Sequence, residues 1–136
     1  MEAWLRQRSS RLTLQDMMEA VRSPVITRES AGYGQVAHLK RGVRSEVAPL
    51  WIALAPSLAS PFLPFYLGIT DVPAEYKEHR YLTKGEASRF IPRNRQGRES
   101  TRSAFQVYKR LFHLVCEHPC KFQAEVKEAL TAFEAQ

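Results

Sequence analysis

Eight consecutive residues, HLVCEHPC, bring His113, Cys116, His118 and Cys120 close together. All four are zinc-ligand types. Familiar zinc sites, however, set two ligand pairs apart by a longer loop, and this spacing lacks one. On a helix His113 and Cys116 share a face one turn apart, His118 points elsewhere, and Pro119 stiffens the turn. The plainer expectation is a core cysteine at a helix end beside exposed histidines, with no metal and no cofactor. A Cys116–Cys120 disulfide requires Cα atoms within about 7 Å. Reduced thiols instead suit a cytoplasmic chain.

Nucleophilic chemistry is a second use for these cysteines. A reactive thiolate needs a nearby base or a positive helix N-terminus. Cys116 falls at a helix C-terminus, where the dipole opposes a thiolate. Cys120 precedes the next helix and is better placed, yet neither residue belongs to a Cys–His signature. The sequence contains no Gly-rich phosphate loop, no G-x-S-x-G elbow, no H-E-x-x-H and no EF-hand pattern. Its neighbouring carboxylates, Glu125, Glu128 and Glu134, read as helix-surface residues. Asp16 and Glu19 read as helix N-terminal and surface charges.

The elements that would position these groups follow from periodicity. Thr13 can cap a helix, with Asp16 at the capping-box position. Leu14, Met17, Met18 and Val21 then mark one helical face, and Pro24 stops the helix. Ser30 to Gly34 is turn-like, Gln35 to Lys40 alternates as a strand, and Arg41-Gly42 turns the chain. Leu50 to Leu54 is apolar throughout and suits a strand buried on both faces. Phe62 to Leu67 is a third strand, and Pro64 confines it to an edge or a bulge because proline cannot donate to a ladder. DVPAEY leads into a short irregular or helical piece. Two helices follow. The first starts at Ser103, with Phe105, Tyr108, Leu111, Phe112 and Val115 inward. The second runs from about Phe122 to Phe133, with Phe122, Val126, Ala129, Leu130 and Phe133 inward. Their short connection, Glu117 to Lys121, predicts antiparallel neighbours.

The chain has 136 residues, 44% of them hydrophobic and 25% charged, which suits one globular domain, 1–136. No apolar run approaches the roughly 18 residues of a membrane span, and the N-terminus lacks the apolar region of a secretory signal. The net charge is +6 and the pI about 9.6. Five arginines, Arg89, Arg93, Arg95, Arg98 and Arg102, fall in a stretch broken by Pro92, Asn94 and Gly97. No aromatic stacking pattern accompanies them, so nucleic acid is not the expected partner.

The segment LAPSLASPFLPFYLGITDVP, Leu54 to Pro73, is too interrupted for a helix and too apolar for an ordinary loop. It lies within Tyr33 to Tyr76, which resembles the C-terminal half of the secernin-like dipeptidases, cysteine hydrolases of the N-terminal-nucleophile class. The resemblance rests on four motifs in order. They are Trp51-Ile52-Ala53-Leu54-Ala55-Pro56, Leu63-Pro64-Phe65-Tyr66-Leu67-Gly68, Val72-Pro73-Ala74-Glu75-Tyr76, and the helix Ser103 to Leu111. Upstream, TLQDMMEAVRS and Pro24-Val25-Ile26 match in part.

The resemblance implies an α+β fold. It would be a partial αββα sandwich, with antiparallel strands, an N-terminal helix and a C-terminal helical hairpin. It implies binding positions at Trp51, Pro64, Phe65, Tyr66, Gly68, Pro73 and Tyr76, and substrate orientation by Arg102 or Arg89. The family hydrolyses dipeptides with a mature N-terminal cysteine whose own α-amine is the base, a group with a pKa near 8. This chain begins Met-Glu-Ala-Trp and has no cysteine before Cys116. The expectation is therefore a C-terminal piece or subunit that is inactive alone and acts on a dipeptide-like substrate only when complemented. Its partner would be the missing N-terminal half or a second copy. The alternative is a non-catalytic interaction module that forms a homo- or hetero-oligomer through exposed apolar sheet surface, and a third, lower reading is a basic nucleic-acid-binding protein.

Overall fold

The computed structural model describes residues 2–39, 41–77 and 103–135. Two N-terminal helices, α1 (Glu2–Gln7) and α2 (Leu14–Arg22), are followed by strands β1 (Tyr33–Ala37), β2 (Pro49–Leu54) and β3 (Leu63–Tyr66). A short helix α3 (Ala74–Lys77) comes next, and two longer helices, α4 (Ala104–Glu117) and α5 (Pro119–Glu134), close the order. The class is α+β, with one three-stranded antiparallel sheet in the order β1-β2-β3.

Helix α2 starts where its sequence says. The Thr13 hydroxyl accepts from the Asp16 N–H, and the Asp16 carboxylate accepts from the Thr13 N–H at 2.9 Å, completing a capping box. The helix ends at Arg22, just ahead of Pro24. Met18 is buried and Leu14 and Val21 partly so, but Met17, expected on the same face, is exposed.

β1 begins two residues before the expected start and ends at Ala37, and Gly34, expected in a turn, lies inside it. A Cβ on Gly34 would come within 3.0 Å of a Val21 methyl and 3.1 Å of Ser57 Cβ. The glycine is what lets α2 lie close on the sheet. β2 is central, yet its residues are mostly half-buried, with only Ala53 fully so. β3 carries Pro64 and pairs with β2 alone, the edge position a proline requires.

Ladder register sorts the side chains. Val36 opposes Trp51 and Gly34 opposes Ala53, so these share a face, and Trp51 opposes Pro64 across β3. Met18, Val36, Ala53 and Phe62 form the core on this face, flanked by Leu14, Val21 and Trp51. The opposite face carries Ile52, Leu50 and Phe65, and here Phe65 packs on Tyr76 of α3, with ring centroids 6.2 Å apart.

α4 and α5 are joined through His118 alone, and Pro119 occupies the first turn of α5. The second helix thus starts three residues earlier than its apolar pattern suggests. Proline is at home at the first helical position, where no N–H is needed. In α4 Phe112 and Val115 are buried, in α5 only Leu130. Ala129 and Phe133, expected inward, are exposed.

Candidate functional site

The most completely buried stretch of the chain is not a strand but the loop 55–62. Ala55, Ala59 and Phe62 are at most 1% exposed, and Ser60 is fully buried. Ala55 leaves β2 with φ 60°, a left-handed conformation that alanine rarely takes, and its N–H bonds the Gly32 carbonyl at 3.0 Å. A buried loop carries backbone groups that no ladder satisfies. Two charged side chains meet them here. Arg22, at the end of α2, donates from Nε to the Ser57 carbonyl at 3.1 Å and from Nη2 to the Ser60 carbonyl at 3.4 Å. Glu134, at the end of α5, accepts the Phe62 N–H at 2.6 Å. The two also pair with each other through both guanidinium nitrogens, Nη1 at 2.8 Å, and the Arg22 guanidinium lies over the Phe62 ring. Arg22 is buried and the Glu134 side chain has no exposed surface. Glu134 is thus not the surface carboxylate its sequence suggests. A glutamate at a helix C-terminus opposes the dipole, and that misfit was the one available signal of a special role.

Above this pair lies a cleft of about 640 Å³ between α1, α2 and α5. Trp4, Pro24 and Leu58 supply apolar wall, and Gln15, Gln123 and Lys127 supply polar edge. Arg8 lies over the Trp4 ring at 4.7 Å and bonds Asp16 at 2.6 Å. Lys127 reaches Glu19 across the opening. The Thr13 N–H and hydroxyl, and then Arg8, hold the Asp16 carboxyl below its ordinary range.

The residues singled out in the sequence do not converge on one site. Trp51 and Pro64 face each other on the α2 side of the sheet, and the Trp51 indole N–H is buried without a hydrogen-bond partner among the described residues. Phe65 and Tyr76 meet on the other side, where the Tyr76 hydroxyl lies 3.2 Å from that of Tyr108 on α4. Burial, and then the Tyr108 hydroxyl, push the Tyr76 phenol upward. Tyr66 and Gly68 are exposed at the end of β3, and Pro73 is exposed just before α3. Arg89 and Arg102 lie outside the described residues.

Cys116 and Cys120 are both free and exposed, so neither is the core cysteine expected. The Cys116 thiol is pushed up by partial burial and by the carboxylates of Glu29 and Glu117. His113 lies 3.8 Å from Glu29, and His118 is exposed. Among the described residues no three His, Cys, Asp or Glu side chains gather to hold a metal ion, and no helix is long and apolar enough to cross a membrane.

Apolar side chains gather on the surface at one end of the sheet. β1 leaves there at Ala37, β2 enters at Pro49 and β3 leaves at Tyr66. Leu39 (86% exposed), Val43, Val47, Tyr66, Leu67 (76%) and Ile69 all emerge at this end. A Cβ on Gly68 would lie 3.9 Å from the Glu46 carbonyl, so the turn after β3 meets the 3-10 turn Ser45–Val47 that precedes β2. No protein-family model, curated protein or solved structure matches the chain.

Proposed function

We propose that the chain is an interaction module whose contact surface is the apolar end of the sheet. The observation that carries this is the exposure of Leu39, Val43, Val47, Tyr66, Leu67 and Ile69, six large apolar side chains on the segments at one end of the sheet. Large exposed apolar surfaces mark sites of association. It differs from the expected surface: the faces of the sheet are covered by α2 on one side and in part by α3 and α4 on the other, and the exposed apolar groups sit at its end. The occupant that suits it is a second copy. Arg44 pairs with Glu46 at 3.4 Å and Lys77 with Asp71 at 2.5 Å, and such exposed pairs are weak enough to exchange partners with those of a second copy. A two-fold rotation can set each sign against its opposite. Light scattering after size exclusion tests this. The native chain is expected at dimer mass and Leu67→Glu at monomer mass. A monomeric native chain at high concentration would overturn the proposal.

A second proposal keeps the dipeptidase resemblance, with this chain as the C-terminal part of a hydrolase sandwich and its nucleophile on a different segment. Its support is that three of the motif segments meet in space. Phe65, Tyr76 and Tyr108 come from Leu63 to Gly68, Val72 to Tyr76 and Ser103 to Leu111, and they touch. The purified 136-residue chain is expected to leave a dipeptide panel intact. Hydrolysis by it would contradict this version.

A further inference from the structure

We propose that the cleft between α1, α2 and α5 binds a small organic anion with a flat apolar body, of the aromatic carboxylate class. Its volume of about 640 Å³ lies within the roughly 300–1,000 Å³ of small-molecule sites. The apolar part of the ligand would meet Trp4, Leu58 and Pro24.

The choice of an anion follows from which polar groups are already engaged. The floor of the cleft, Arg22, is committed to Glu134 and to two loop carbonyls. Asp16 accepts from Arg8 on one oxygen and from the Thr13 N–H and hydroxyl on the other, so both of its oxygens are already engaged. Donors remain in excess. Arg8 uses one terminal nitrogen on Asp16 and keeps further N–H groups. Gln15 and Gln123 line the cleft with carboxamides that make no hydrogen bond among the described residues. Among the described residues Lys127 is held only by Glu19, in a pair whose side chains are 60% and 44% exposed. Such a pair is worth little. Lys127 can therefore turn to a ligand carboxylate while Glu19 stays in water, with no buried charge left unpaired. A ligand cation at Glu19 would instead meet the surplus of donors.

This site is separate from the apolar end of the sheet, and its test is independent of the oligomeric state. The protein, labelled with nitrogen-15, is titrated with 3-phenylpropionate and with the uncharged 3-phenylpropan-1-ol. Saturable shifts are expected at the Trp4 indole N–H and at the Gln15 and Gln123 side-chain amides, with the Trp51 indole unmoved. The alcohol is expected to bind at least about tenfold more weakly. Lys127→Gln should weaken the carboxylate by about tenfold at unchanged melting temperature. Glu19→Gln, which releases Lys127, should bind it as well as the native chain or better. The proposal is overturned by the absence of saturable shifts at these groups, by equal binding of acid and alcohol, or by a Lys127→Gln variant that binds the acid unchanged.

Discussion

The loop 55–62 and the outer end of the sheet solve opposite problems. The loop is irregular, where backbone polarity should keep it at the surface, yet it is the most buried stretch of the chain. The sheet end is formed by the segments that leave and enter the strands, and it leaves Leu39 and Leu67 largely in solvent. The difference is one of completion within the chain. The loop's orphan carbonyls and N–H are met by Arg22 and Glu134, contributed by residues 112 positions apart in sequence. At the sheet end the apolar surface has no counterpart among the described residues. Burial here follows from what supplies the missing partner, not from regularity of structure.

The contrast breaks most severely at the buried pair. Glu134→Gln leaves Arg22 buried beside an uncharged group, and Arg22→Met leaves the carboxylate buried and two carbonyls unmet. Either is expected to cost about 3–5 kcal/mol in denaturant unfolding. The double variant Arg22→Met with Glu134→Leu removes both charges but still strands the loop's own backbone groups. It should therefore recover little stability; a return to native stability would show that the loop does not need the pair.

Next in size is Gly34. Its missing Cβ is the space into which Val21 and Ser57 pack. Gly34→Val is expected to lose about 1–3 kcal/mol by overpacking, read as a lowered unfolding midpoint.

The capping box gives a smaller effect with a pH signature. Thr13→Ala should cost about 1 kcal/mol. Asp16 is held below its ordinary value in the fold. Its contribution is therefore present above the unfolded-state value and is lost as pH falls through the folded one. Asp16→Asn should be less stable than the native chain at neutral pH, and the gap should close under strong acid. A gap constant with pH would remove the carboxylate from the account.

Smallest of all, Leu67→Glu should shift monomer stability by no more than about 0.5 kcal/mol, since the side chain packs on nothing that unfolding exposes. A large loss would mean that the sheet end is already part of the core.

Much of this was legible in the sequence where local rules decide. The Thr13–Asp16 box, the stop before Pro24, the edge strand demanded by Pro64 and the long helix after Ser103 rest on neighbouring residues, and those placements hold. Apart from the start of α5, which Pro119 sets locally, what failed depended on distant partners. Glu134 looks like any helix-surface glutamate until Phe62 and Arg22 arrive from elsewhere in the chain. Phe133 fits an apolar helical period, yet nothing among the described residues covers it. Cys116 sits one turn from buried Phe112 and next to buried Val115, and still faces outward. The apolar run Leu54 to Pro73 divides in two: residues 55–62 form the buried loop, and residues 66–71 are exposed beyond the sheet end. Composition does not separate the two.

Hydrogen exchange measured at low and high protein concentration tests the distinction most directly. Protection around residues 41–47 and 66–69 is expected to rise with concentration, as a second copy covers the sheet end. The Phe62 N–H, held by Glu134 within the chain, should stay equally protected throughout. Exchange at the sheet end that is indifferent to concentration, or protection of the 55–62 loop that depends on it, would contradict the account.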